Sequence, residues 1–396
     1  MRYILKFALL LLGLNLSAQT ANLNIDLLKN KISELAIQEL ENSKAPSLQI
    51  AISLKDSLIF NKAFGLADME NNIPASTKTK YRTASVSKLW TATIAMILVD
   101  KGLLNLDEPI QNYCPNFPKK EHVITTRQLL THTSGIRSYI DLEEELKNAK
   151  NSQDSLDIKD RYRQEMLGEF TRYTEIIKAI DNFKNDPLIF EPGTDWHYSS
   201  QAYRVLACVL EGASNLTYQQ LTKQYIFEPT SMNNTLEDDA WAIIPNRASG
   251  YRINRGKPIR RADMRDVSEN LPAGGHLTTA SDLILFANSF LNEQYFSSGK
   301  IKLMSENYIK NVESNNKKIP LWRYAIPNKE NYGYGIMIFP SEDTKRFGHT
   351  GRQAGASAIL VMIPEKKLSI AVLTNVKGWN GYMSFTKKIE EITSEM

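Results

Sequence analysis

This sequence is poor in cysteine. Only Cys114 and Cys208 occur in 396 residues, which excludes a scaffold built on a disulfide framework and leaves a single bridge or two buried thiols as the open readings. Histidine is scarce as well. His122, His132, His197, His276 and His349 form no H-E-x-x-H or other close ligand pair, so nothing argues for a metal. A G-x-S-x-G elbow is missing, which sets aside an α/β-hydrolase-type lipase. Charge of one sign is also in short supply: the net charge of +4 is small and scattered, so nucleic acid and membrane surfaces are not expected partners. With no repeat or low-complexity tract either, the composition is that of a chain able to bury a substantial core, and small-molecule or peptide chemistry fits it best.

The long hydrophobic run at the start falls short of a membrane span. MRYILKFALLLLGLNLSAQTAN places Arg2 and Lys6 before an apolar stretch from Phe7 to Leu16, followed by Ser17-Ala18. A span needs about 20 apolar residues, whereas this layout is that of a secretory signal peptide over residues 1–18, cleaved after Ala18. The expected product is secreted or periplasmic, a single domain over residues 19–396 with no stable membrane span.

Leu23 to Asn42 has helical periodicity, and PSLQIAISLKDSLIFNKAFG alternates around Lys55-Asp56 as a hairpin does. Near the other end, YGYGIMIF, KRFGHTG, GASAILVMI and LSIAVLTN read as successive strands, the last two joined across Pro364-Glu365-Lys366-Lys367. The middle is mostly helical: Ser85 to Lys101, a stretch from Tyr139 to Asn185 dense in both charge signs, and Ser200 to Glu211. This predicts an α+β fold in which an antiparallel sheet drawn from both chain ends is flanked by helices, with a mostly helical lobe inserted. Residues 139–185 read as a charged helical insertion on a solvated face, able to overhang a site.

In TASVSKLWTATIAMILVDKG, Ser85 and Lys88 stand three residues apart at the mouth of an apolar helix. Ser-x-x-Lys also occurs at Ser297, Ser314 and Ser384, so the tetrapeptide alone carries little; only Ser85 leads into a long apolar helix. At a helix start, i and i+3 share a face and lie roughly 5 Å apart. A lysine there is costly unless paired or neutral. The bland alternative is a serine cap with a snorkelling lysine.

Two more stretches change that balance. EPGTDWHYSSQAYRVLACVLEG carries Tyr198-Ser199-Ser200 where a new helix begins, and RFGHTGRQAGASAILVMIP carries His349-Thr350-Gly351 at the end of a strand. In this order, with Ser85-Val86-Ser87-Lys88, they resemble the S-x-x-K, Y-x-N/S and K/H-T-G motifs of the serine β-lactamase and penicillin-recognising superfamily, in its branch of class C β-lactamases, D,D-peptidases and esterases. ITTRQLLTHTSGI and PAGGHLTTASDLILFANSFL are similar to further landmarks of that family.

The resemblance implies a β-lactamase/transpeptidase-like fold and a cofactor-free serine hydrolase acting through an acyl-enzyme on Ser85. Lys88 and Tyr198 would take and return the proton, since either can act only if its surroundings lower its ordinary pKa. Backbone N–H groups of Ser85 and Arg352 would hold the oxyanion, and Ser200, His349, Thr350 and Gly351 would line the substrate. Ser200 replaces the asparagine of class C enzymes and could instead simply cap the following helix. His349 replaces a lysine and is expected to be mostly neutral at pH 7, a weak partner for a substrate carboxylate; Arg352 would not restore that cation, because alternation puts its side chain on the opposite face. Esterase or peptidase/amidase activity is therefore expected over efficient β-lactamase activity, on a small molecule or peptide with an ester, amide or lactam carbonyl. A slowly acylating penicillin-binding receptor or a non-catalytic scaffold is the competing expectation. His132, His197 and His276 read as satisfied structural residues, and His122 as surface.

Overall fold

The computed structural model describes residues 25–253, 259–310, 331–341 and 344–394; the signal-peptide expectation falls outside them. The expected first helix is present as α1, residues 25–43. It is followed by the hairpin β1 (Ser47–Leu54) and β2 (Ser57–Asp68), whose turn residues Lys55 and Asp56 both have positive φ, the twist a two-residue hairpin loop requires. β3 (Ile73–Pro74) follows. The remaining sheet strands come from the far end of the chain: β4 (Met337–Phe339), β5 (Arg346–Gln353), β6 (Ala356–Ile363) and β7 (Leu368–Thr374). Their order is β3-β2-β1-β7-β6-β5-β4, antiparallel throughout, so the two chain ends meet where β1 pairs with β7, Ile50 opposite Val372 and Ala51 opposite Ala371.

Both faces of this sheet are covered, which explains why its central strands are nearly all apolar. Alternate residues Ile50, Ile52, Ile359, Val361, Ile370 and Val372 pack with Leu28, Ile32 and Ala36 of α1 and with Phe385 and Ile389 of α6 (Tyr382–Ser394). Ala51, Ala358, Leu360, Met362, Ala371 and Leu373 point the other way, into the larger core. That core is made by α2 (Lys88–Asp100), α4 (Ser200–Ser214) and α5 (Ala280–Leu291). α2 is apolar all round and buried from Lys88 to Leu98, as a helix at the centre of a protein must be.

The charged stretch from Tyr139 to Asn185 is helical as expected but departs from the expectation of a solvated face. It contains α3 (Ser152–Gly168) with shorter helices at Leu142–Lys147 and Ile176–Ala179, and Ile158, Glu165, Ile176, Ile180 and Phe183 are buried. The expected strand YGYGIMIF contracts to Met337–Phe339. Cys114 and Cys208 are bonded, their Cα atoms 5.5 Å apart, which ties α4 to the segment after α2 and resolves the open question about the thiols. Among the described residues no helix is long and apolar enough to cross a membrane.

Candidate active site

Ser85 sits in a single 3-10 turn, Ala84–Ser87, that feeds directly into α2. The turn is strained, since Ala84 has φ 45°, a region that costs a residue with a Cβ about 1 kcal/mol or more. Its surroundings hold it there. Thr83 hydrogen-bonds the Ser87 hydroxyl (2.7 Å) and the His276 carbonyl (3.0 Å) through its own hydroxyl. Two glycines let neighbouring chain come close: a Cβ on Gly351 of β5 would lie 2.3 Å from the Thr83 carbonyl oxygen and 3.1 Å from Ser85 N, and one on Gly274 would lie 3.0 Å from the Ala84 carbonyl carbon. Ser85 itself is partly exposed, while the residues on both sides of it are buried.

Lys88 is fully buried at the start of α2. Its Nζ lies 3.2 Å from Ser85 Oγ, 3.3 Å from Ser200 Oγ and 3.1 Å from the Ala273 carbonyl oxygen. It also stands 4.9 Å from the ring centre of Tyr198 and 5.3 Å from that of Tyr203. None of the ion pairs among the described residues includes Lys88. Burial first, and then the positive field of Arg204, hold its pKa well below the usual lysine range. A lysine placed to take a proton needs these conditions.

Tyr198 precedes α4, and its ring packs 4.3 Å from that of His132 and 6.2 Å from that of His349. Ser200 is not the helix cap: that role belongs to Ser199, whose hydroxyl accepts the Ala202 N–H (3.0 Å) and donates to the Arg137 carbonyl (2.7 Å). The Ser200 hydroxyl is thereby free to face Lys88.

His349 is completely buried, and burial together with Lys88 pushes its pKa down to about 3. Both ring nitrogens have protein partners, the Tyr332 hydroxyl at 3.0 Å and the Thr350 carbonyl at 2.5 Å. The Thr350 hydroxyl donates to Met337 Sδ at 3.4 Å. Gly351 turns its carbonyl toward the Tyr382 hydroxyl (3.2 Å). The Arg352 side chain is exposed, on the sheet face opposite His349. The structure thus brings Ser85, Lys88, Tyr198, Ser200 and Gly351 together, and it encloses His349 behind them.

Sequence reasoning missed the charges behind this centre. Arg204, one turn along α4 from Ser200, pairs with Glu269 at 2.8 Å, their side chains only 2% and 3% exposed, and donates to Tyr139 Oη at 3.2 Å. Beside it Arg137 pairs with Glu165 of α3 (2.7 Å) and with Asp186 (2.5 Å). The end of the charged insertion is therefore welded to the site. An arginine inside the otherwise apolar AYRVLACVL run was the available signal, since a charge at such a position demands a buried partner. Ala273 and Tyr332, each beside glycines, were missed too. Among the described residues no group of three or more His, Cys, Asp or Glu could hold a metal ion.

Comparison with known proteins places the chain in a family and matches its fold. The chain is 30% identical over 399 residues to the mitochondrial serine beta-lactamase-like protein LACTB of Mus musculus, covering 84% of this chain and 72% of that protein. It is 24% identical to protein flp of Staphylococcus aureus strain MW2, over 88% of this chain and 64% of that one. Its fold matches the octameric penicillin-binding protein homologue of Pyrococcus abyssi with a TM-score of 0.72 at 23% identity, over 92% of this chain and 77% of that one. EstCE1, a hydrolase with promiscuous acyltransferase activity, matches with a TM-score of 0.72 at 19% identity over 93% and 98%. The Beta-lactamase family profile matches residues 32–391, and the chain belongs to that family.

Proposed function

We propose that this protein is a serine hydrolase that cleaves ester or amide bonds through an acyl-enzyme on Ser85. The observation that carries the reading is the 3.2 Å approach of a buried lysine, unpaired with any carboxylate among the described ion pairs, to a partly exposed serine hydroxyl. A neutral Lys88 has two N–H groups and one lone pair. The N–H groups go to the Ala273 carbonyl and the Ser200 hydroxyl, and the lone pair receives the Ser85 proton.

Ser85 Oγ then attacks the carbonyl carbon, and the electron pair moves to the carbonyl oxygen, where the N–H groups of Ser85 and Arg352 would receive it. As the bond to the leaving group breaks, Lys88 returns the proton to that group through Tyr198, whose ring borders it. Water repeats the sequence on the acyl-Ser85 ester and releases the acid. In this reading Gly351 has a second task, keeping the strand close enough to the nucleophile turn for its next N–H to share the oxyanion.

Substrates without a free carboxylate suit this site best. Its third motif offers no cation, because His349 is enclosed, held neutral and engaged at both nitrogens. The solved relatives include a D-amino acid amidase of Ochrobactrum anthropi complexed with L-phenylalanine amide, a ligand that has an amide where an amino acid has its free carboxylate. The N-terminal layout supports export to the periplasm or medium as part of the same proposal.

Intact-protein mass spectrometry with a fluorophosphonate tests the nucleophile: a single adduct that is lost in Ser85→Ala is expected. A panel of p-nitrophenyl esters, D-amino-acid amides and nitrocefin then ranks the acyl donors, with nitrocefin expected to be slow. Absence of an adduct in the wild type would overturn the proposal in favour of a non-catalytic scaffold.

A further inference from the structure

Tyr332 belongs to none of the three motifs. Its hydroxyl nevertheless lies 3.2 Å from His132 Nε2 and 3.0 Å from His349 Nε2, with all three side chains buried. The far nitrogen of each ring meets a backbone group: His132 Nδ1 lies 3.2 Å from the Ser199 N–H, and His349 Nδ1 lies 2.5 Å from the Thr350 carbonyl.

These end groups fix every proton between them. A backbone N–H only donates and a carbonyl only accepts, so His132 Nδ1 is an acceptor and His349 Nδ1 carries a hydrogen. Burial and the nearby Lys88 keep both rings neutral, which leaves one hydrogen on each. His132 therefore carries its hydrogen on Nε2 and gives it to the Tyr332 oxygen. His349 Nε2 is bare and takes the Tyr332 hydrogen. Tyr203, whose hydroxyl donates to the Leu130 carbonyl (3.1 Å), also meets the Tyr332 hydroxyl, and this contact leaves the two tautomers unchanged because the backbone groups at the ends set them.

We propose that Tyr332 is a positioning residue for the hydrolysis inferred above: its hydroxyl closes a four-bond chain from the Ser199 N–H to the Thr350 carbonyl and so sets the gap between the Tyr198 segment and β5. Tyr198 rests on this bracket, with its ring against His132 and edge-on to Tyr332 at 6.2 Å. Gly351 follows Thr350 directly. Tyr332 also denies a substrate the His349 ring by occupying its Nε2. The kinetic consequence rests on the acyl-Ser85 reading; the proton order does not.

The experiment is nitrogen–proton correlation NMR of the histidine rings in the full chain, assigned with His132→Gln and His349→Gln, alongside ester kinetics of Tyr332→Phe. The wild type is expected to show His132 protonated on Nε2 and His349 on Nδ1, neither titrating near the ordinary value of about 6.5. Tyr332→Phe is expected to leave the His349 hydrogen on Nδ1, where the Thr350 carbonyl still holds it, to shift the His349 Nε2 resonance as that nitrogen loses its donor, and to lower kcat by ~10- to 100-fold with KM within about twofold, the mark of misplaced chemistry rather than lost binding. Like tautomers in the two rings, titration near 6.5, or a folded Tyr332→Phe with kcat within about twofold of wild type would overturn the inference. If Tyr332→Phe does not fold, the wild-type spectrum decides. An ordered pair of tautomers in a protein that turns over no ester or amide would sink the hydrolase reading alone.

Discussion

Gly351 and Thr83 touch backbone to backbone: a Cβ at 351 would stand 2.3 Å from the Thr83 carbonyl oxygen, inside any tolerable contact. The strand and the turn that carries Ser85 are thus pressed together at the one residue type that allows it. Gly351→Ala is expected to push the turn away from β5, costing about 1–3 kcal/mol of stability and ~100-fold or more in acylation rate. Urea unfolding and fluorophosphonate labelling rates measure the two effects. A variant labelled at the wild-type rate would show that the contact does not govern the nucleophile.

Glu269 neutralises Arg204, the cation that helps depress Lys88. Glu269→Gln would leave a buried guanidinium without its partner, at a cost of about 3–5 kcal/mol. The field at Lys88 would then grow, and the acid limb of kcat/KM is expected to move to lower pH. Arg204→Met combined with Glu269→Gln should recover much of the stability and move that limb the other way. Profiles that coincide in all three proteins would remove Arg204 from the control of Lys88.

Four histidines make stability fall on acidification. His276 and His349 are pushed down to about 3, His197 to about 4, and His132 also lies well below its ordinary value, in each case chiefly by burial. Below about pH 6.5 the unfolded chain binds protons at these positions and the folded chain does not, so stability is retained above that pH and lost beneath it. Each contributes up to ~1.4 kcal/mol per pH unit, roughly 5–6 in sum. Urea melts between pH 7 and 5, a range in which ordinary carboxylates change little, are expected to show this slope. A flat profile would mean that these rings accept protons while folded.

The Cys114–Cys208 bridge closes a long loop, its cysteines 94 residues apart. In the chain-entropy account such a loop is worth about 4–5 kcal/mol. Reduction, or the double serine variant, is therefore expected to lower the free energy of unfolding by that order without altering labelling of Ser85, since neither sulfur borders the nucleophile turn. Equal stability with and without reductant would contradict this.

The sheet, the hairpin at Lys55-Asp56 and the apolar α2 were legible in the sequence because their patterns are local. A period of two, a pair of turn residues and an unbroken apolar run can each be read within a window of about 20 residues. The i, i+3 spacing of Ser85 and Lys88 is local too. What could not be read is whatever depends on distant segments meeting. Whether Ser199 or Ser200 caps α4 was decided by Arg137 offering its carbonyl to Ser199. The charged stretch looked solvated because the partners of its buried groups, Arg137 for Glu165 and Ser268 for the Tyr173 N–H, lie outside it, 28 and 95 residues from the groups they meet. His349 could be foreseen as neutral from its residue type, but its enclosure by Tyr332 could not, since nothing near it in sequence announces that contact.

A sheet whose first strand pairs with its last has a consequence for synthesis. Through β1 and β7, residues near 50 must wait for residues near 372, and β5, which backs the nucleophile turn, is also made late. A ribosome that has released nine-tenths of the chain has not yet assembled the site. Long-range pairing of this kind slows folding and leaves strand edges exposed while it waits. In the proposed mechanism, reactivity at Ser85 then arises only as the final strands lock in, so an interrupted polypeptide carries the serine and the lysine without the site around them.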